Sequence, residues 1–153
     1  MIPLSELLDD RIIDLTLSKG RKRAIISRLV ELAVTGDAVS DPVALERELL
    51  EREQDSSSAI GGSIAIPHKL SSHITRRVLG FARCSEGTAF DAPDREPVRL
   101  FFLLLAPETA VTEHLRILSR LARFLHDAEF RTALLSAANA SDVRRAFEAK
   151  ERE

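Results

Sequence analysis

The chain has 153 residues, a formal charge of −2, 44% hydrophobic and 30% charged side chains. That is enough to bury one core, and it gives no global reason to expect a nucleic-acid or membrane partner. Cys84 is the only cysteine, which excludes an internal disulfide and a CxxC metal framework. The start, Met1-Ile2-Pro3-Leu4-Ser5-Glu6, shows no basic stretch leading into an apolar one, and the longest apolar run, Leu100 to Ala106, is too short to cross a bilayer. The expectation is a single cytoplasmic domain over residues 1–153, with no membrane insertion and no appended second domain.

In chain order, Ile12 to Leu17 reads as a first strand, followed by Ser18 as a helix cap. An amphipathic helix follows over Arg21 to Val34, with Ala24, Ile25, Ile26, Leu29, Val30 and Ala33 on its apolar side, and Gly36 ends it. Asp41-Pro42 is a cap and first turn opening a second helix through about Glu53. Gln54 to Gly62 reads as a polar loop. Ser63 to Ile66 reads as a short strand whose ladder Pro67 ends, and His68 follows.

Arg77 to Cys84 is a further strand, and Asp91-Ala92-Pro93-Asp94 marks a turn. Val98 to Leu105 is apolar almost throughout, the pattern of a central strand covered on both faces. Thr112 to about His126 is a strong helix with Leu115, Leu118, Leu121, Ala122 and Leu125 at helical spacing. A shorter helix near Glu129 to Ala137 and a last one from Ser141 close the chain. The order predicts a three-layer α/β sandwich: a mixed central sheet of about five strands with helices on both faces.

The chemistry concentrates at Gly61-Gly62-Ser63-Ile64-Ala65-Ile66-Pro67-His68. A ring held at a buried strand's end loses rotamer freedom while one nitrogen still faces solvent. With an unperturbed pKa near ~6.5, that nitrogen carries a lone pair at neutral pH, so His68 is a candidate covalent nucleophile. A histidine that ends a strand and hydrogen-bonds a loop accounts for the same pattern, and spacing alone leaves both readings open.

His114 opens the long helix after the central strand, where ligands of α/β sheets gather and backbone N–H groups favour an anion such as phosphoryl. As a residue of the first turn it fits solvent equally well. Arg52 closes the second helix; its planar fork suits two phosphoryl oxygens, and pairing with Glu48 one turn earlier is the bland alternative. His73 and His126 read as surface residues without a role. The GxSxG elbow lacks its last glycine, no Walker loop or HExxH is present, and His68 and His73 do not have metal-ligand spacing.

Taken together these segments resemble the enzyme IIA domain of the bacterial phosphoenolpyruvate-dependent phosphotransferase system, in its mannitol, fructose and nitrogen-regulatory class. Leu49-Leu50-Glu51-Arg52-Glu53 with Ile60 to His68 resembles the family's RE…GxxIAIPH block. Phe90-Asp91-Ala92, Pro97-Val98 and Phe101 to Pro107 resemble its FD…PV…FxLLxP segment, and His114-Leu115, Leu118 and Leu121-Ala122 its HLxxLxxLA helix. The resemblance implies that His68 accepts a phosphoryl group from a phosphohistidine on HPr or a nitrogen-branch carrier. It also implies that His114 donates a hydrogen bond to the phosphoryl oxygens, that Arg52 holds their charge, and that no metal or organic cofactor takes part.

Downstream, the implied partners are a IIB protein or a regulatory target. A short chain with no attached IIB or IIC segment looks like the nitrogen-type regulators. A stand-alone sugar-branch IIA is the second reading, and a regulatory binding module that no longer takes phosphate is the third. Lys69, where the family often has a small residue, and Gly62, where nitrogen-type members often have a polar one, depart from the pattern, while Ser63 fits the mannitol type.

Overall fold

The computed structural model describes residues 2–153. Its elements run α1 (Leu4–Leu7), β1 (Leu8–Asp14), α2 (Lys22–Thr35), α3 (Pro42–Asp55), β2 (Ala59–Gly61), β3 (Ile64–Ala65), β4 (His68–Leu70), β5 (Val78–Thr88), β6 (Val98–Ala106), α4 (Val111–Leu125), α5 (Ala128–Ser136) and α6 (Ala140–Glu151). One mixed sheet of six strands takes the order β1-β5-β6-β3-β2, with β4 also paired to β6. This is the expected α/β sandwich with one more strand than predicted.

The apolar run of β6 alternates between two cores. Phe101, Leu103 and Leu105 pack with Ile25, Ile26 and Leu29 of α2 and Leu45 and Leu49 of α3. Leu100, Phe102 and Leu104 pack with Ile117, Leu121 and Leu125 of α4, Phe130 of α5 and Phe147 of α6. Period-two alternation thus sends successive apolar side chains to opposite layers, so the run is buried on both faces. The helix starts follow their caps: Asp41 accepts from Ala44 N–H at 3.1 Å with Pro42 behind it, Asp127 caps α5 and Asn139 caps α6.

Three elements differ from expectation. β1 lies earlier than Ile12 to Leu17, and the short helix α1 precedes it. Asp14 ends the strand, since its Oδ1 accepts from Thr16 N–H at 2.9 Å in a local turn that competes with the ladder. The polar segment after α3 contains the edge strand β2, antiparallel to β3 through a tight turn. In that turn Gly61, Gly62 and Ser63 all take positive φ (93°, 64° for Ser63, 65° for Gly62), a left-handed run that glycine tolerates best. Ser63 therefore belongs to the turn, not to the strand.

The third difference concerns Pro67. The pairs Ile64↔Leu100, Ala65↔Phe101, His68↔Leu104 and Leu70↔Ala106 keep one register along β6, so β3 and β4 are a single line of chain interrupted at Ile66-Pro67. Proline lacks a donor, yet its carbonyl still accepts from Leu104 N–H at 3.0 Å. The ladder pauses at Pro67 and resumes at His68, rather than ending there.

Where β1 meets β5 the backbones approach closely: a Cβ on Gly80 would lie 2.3 Å from Ile12 Cγ2 and 2.9 Å from the Ile12 carbonyl oxygen. Gly80→Ala is expected to lower stability by about 1–3 kcal/mol, the range for overpacking a core, measured as a shift of the urea midpoint without a change in slope.

Candidate functional site

His68 is held from both sides. Its Nδ1 lies 2.6 Å from the carbonyl oxygen of Ile66, two residues earlier, across the Pro67 interruption. A carbonyl only accepts, so Nδ1 carries the proton and Nε2 the lone pair. Arg52, in the last turn of α3, places Nη2 2.9 Å from Nε2. A guanidinium only donates, so this second contact selects the same tautomer. The alternative partner for Arg52 is otherwise engaged: Glu48 accepts from Ser71 Oγ at 2.6 Å.

His114 is buried, with only 4% of its surface exposed. Its ring centroid lies 5.7 Å from that of His68, at an interplanar angle of 40°. The first-turn position therefore points inward, toward the site. Its Nδ1 is buried and has no hydrogen-bond partner among the described residues. Burial holds the His114 pKa down to about 4, and the neighbouring His68, Arg52 and Arg77 add to the effect. Burial also lowers the His68 pKa; the Ile66 hydrogen bond opposes this, Arg52 reinforces it and Glu53 opposes it again. Both imidazoles are thus kept neutral at physiological pH, the state in which a ring nitrogen can attack.

A cleft of about 290 Å³ opens beside His68, lined by Arg52, Ser56 to Ser58, Ile60, Ile66, Leu118 and Ala122. Ile60 of the cleft lining is 52% exposed, and Leu115, next to His114 in α4, is 62% exposed. Lys69 projects from β4, half-buried. His73 is also half-buried, with Nε2 3.9 Å from Glu48, and His126 is exposed at the end of α4; neither touches His68. Among the described residues no three His, Cys, Asp or Glu side chains assemble as a metal site requires.

Two residues of this neighbourhood were not singled out from the pattern. Arg77 sits close enough to act on His114 and pairs with Glu113 at 3.0 Å. Glu53, next to Arg52, is buried at the end of α3. Glu53 stands in the RE pair of the resembled motif, where no role was read for it, and Arg77 carries no local sequence signal; an arginine at a strand start and a glutamate late in a helix are common on solvated surfaces.

A neutral nucleophilic imidazole beside a guanidinium and a second imidazole defines a covalent group-transfer site for an anionic electrophile, a class to which phosphoryl carriers belong. Comparison with known proteins makes this specific. The family described as "Phosphoenolpyruvate-dependent sugar phosphotransferase system, EIIA 2" matches residues 6–150. The fructose-specific EIIA component of Haloferax volcanii is 35% identical over 140 residues, covering 92% of this chain and 91% of that protein. A nitrogen regulatory protein of Bradyrhizobium diazoefficiens is 31% identical over 142 residues, with 93% and 92% covered. The crystal structure of nitrogen regulatory protein IIA-Ntr from Neisseria meningitidis superimposes with a TM-score of 0.86 at 31% identity, over 94% of this chain and 98% of that one.

The chain belongs to the type-2 enzyme IIA family of the phosphotransferase system. It is a phosphocarrier, a phosphoryl-transferring component of that system. No helix among the described residues is long and apolar enough to cross a membrane.

The lowered histidine pKa has a consequence for stability. A group whose folded pKa lies below its ordinary value of 6.5 binds protons more readily when unfolded. Stability is therefore full above pH 6.5 and falls as pH drops toward about 4. The slope from one such group is at most about 1.4 kcal/mol per pH unit. Chemical denaturation across this window is expected to show that slope, flattened in His114→Asn; a slope unchanged by the substitution would assign it elsewhere.

Proposed function

We propose that His68 Nε2 accepts the phosphoryl group, with Arg52 and His114 holding its oxygens. The observation that carries the reading is the double anchoring of His68: Nδ1–H on the Ile66 carbonyl and Nε2 facing Arg52, which presents one defined lone pair. For transfer, Arg52 gives up its hydrogen bond and turns its donors to the incoming oxygens. The Nε2 lone pair forms the new N–P bond as the bond from phosphorus to the donor's histidine nitrogen breaks, its electron pair returning to the donor ring. The proton on Nδ1 stays, and the Ile66 carbonyl steadies the positive charge that spreads over the ring.

A loose transition state of this kind leaves catalysis to positioning and charge stabilisation. The buried, unpartnered Nδ1 of His114 supports a proton on its other nitrogen, the one available to donate to a phosphoryl oxygen.

The donor in this reading is an HPr-like carrier, or its nitrogen-branch counterpart, bearing a phosphohistidine. Residues 1–153 act as one IIA unit in the cytoplasm. Exposed Ile60 in the cleft lining and exposed Leu115 beside His114 in sequence suit a transient protein encounter on this face. A nitrogen-type regulatory role is supported by the close likeness to the Neisseria IIA-Ntr structure. The 35% identity to the Haloferax fructose-specific component favours the second reading, a sugar-branch IIA that passes phosphate to a IIB protein.

The test is reconstitution with phosphoenolpyruvate, enzyme I and each carrier, followed by intact mass. An acid-labile single phosphoryl adduct is expected in the wild type and none in His68→Ala. His114→Ala is expected to slow labelling by on the order of 10²–10³, the scale for one lost charge-stabilising donor. Arg52→Lys, which keeps the charge but loses the fork, is expected to fall between wild type and Arg52→Ala. Absence of label with both carriers would defeat the reading; release of label to a fructose-type IIB would select the sugar branch.

A further inference from the structure

We propose that Glu53 is a positioning residue for His68, acting through a continuous series of hydrogen bonds; the proposal rests on the phosphoryl-transfer reading above. The Glu53 carboxylate is almost fully buried, its side chain 4% exposed, at the end of α3 next to Arg52. Its Oε2 accepts from Ser58 N–H at 2.9 Å and its Oε1 from the same N–H at 3.2 Å, while the Ser58 hydroxyl donates to Oε1. The Ser58 carbonyl accepts from Ile66 N–H at 2.9 Å, and the Ile66 carbonyl accepts from His68 Nδ1 at 2.6 Å.

The series enters and leaves Ser58, and then Ile66, through the N–H and C=O of one residue, which belong to different peptide groups. It therefore transmits position rather than electronic polarisation. Its end point is the one acceptor that orients the imidazole.

One turn of α3 thus addresses both ring nitrogens. Arg52 reaches Nε2 directly, and Glu53 reaches the partner of Nδ1 through the edge strand. Burying a carboxylate is costly without a counter-charge, and the structure supplies one. Lys22 Nζ lies 3.8 Å from Glu53, held by Asp91 at 2.9 Å and set 4.6 Å from the Phe90 ring centroid. The charge also opposes the field of Arg52 at His68.

The experiment is Glu53→Gln, read by nitrogen NMR of labelled histidine and by phosphotransfer kinetics. The isosteric amide loses the charge and keeps only one acceptor oxygen for the two Ser58 donors, with an NH2 in the place of the oxygen that takes the shorter N–H bond. His68 is expected to lose its single tautomer and to titrate lower, with kcat down by up to ~100-fold for a misplaced group and KM for the donor carrier unchanged. Glu53→Asp, which restores the charge on a shorter arm, is expected to recover the titration midpoint in part. A Glu53→Gln protein that melts earlier but keeps the His68 nitrogen shifts, midpoint and kcat would reduce Glu53 to a structural tie and overturn the proposal. Should Glu53→Gln not fold, Ser58→Ala cuts the same series more mildly: a smaller shift in the same direction upholds the proposal, and an unchanged His68 spectrum overturns it. If the wild type takes label from no donor, the phosphoryl reading falls, while the histidine spectra still decide the role of Glu53.

Discussion

The hydrogen bond from His68 Nδ1 to the Ile66 carbonyl is the contact on which the site depends. The chain between them contains Pro67. A proline has no N–H for the ladder, so the line of β3 and β4 breaks locally while keeping its register on β6. The Pro67 carbonyl turns to Leu104 on β6, whereas Ile66 faces the other side, its N–H on the Ser58 carbonyl and its own carbonyl on the imidazole, the contact that sets the tautomer.

Around that contact the charges are arranged so that neither imidazole is protonated at rest. Arg52 and the burial of both rings favour neutral forms, and Glu53 acts against them at His68. The balance suits a carrier that receives a group and gives it up again. A fully exposed imidazole would be partly protonated and loosely oriented; one surrounded by carboxylates would repel the phosphoryl group that the proposed reading assigns to it. Shape agrees with the proposed reading, since the cleft beside His68 is open and lined in part by Ile60, Ile66 and Leu118, which leaves Nε2 within reach of a partner protein.

Much of the architecture was legible because it rests on periodicity. The β6 run announced two-sided burial, and Leu121 and Leu125 of α4 are buried as the spacing predicted. Leu115, however, is exposed, and His114 and Ile117 take the inward positions of the first turns. Asp41-Pro42 marked the start of α3 within the residue. The misses lie where local hydrogen bonds compete with pattern. Asp14 turns the chain before Leu17, and β2 hides in a polar segment because an edge strand of three residues has too few side chains to show alternation. His114 read equally well as exposed, since one position on a helix does not reveal which element packs against it.

The identities of His68, His114 and Arg52, the helices and strands that carry them, and the family they resemble were all contained in the order of residues. What tertiary structure alone decided is how they meet: that Arg52 turns to His68 and not to Glu48, that the two rings come within 5.7 Å, and that a buried Glu53 ties into the same strand. The reason is physical. Periodicity and caps act over a few residues of chain, whereas the contacts between α3, β4 and α4 join segments separated by 16 residues or more and exist only once the sheet has brought them together.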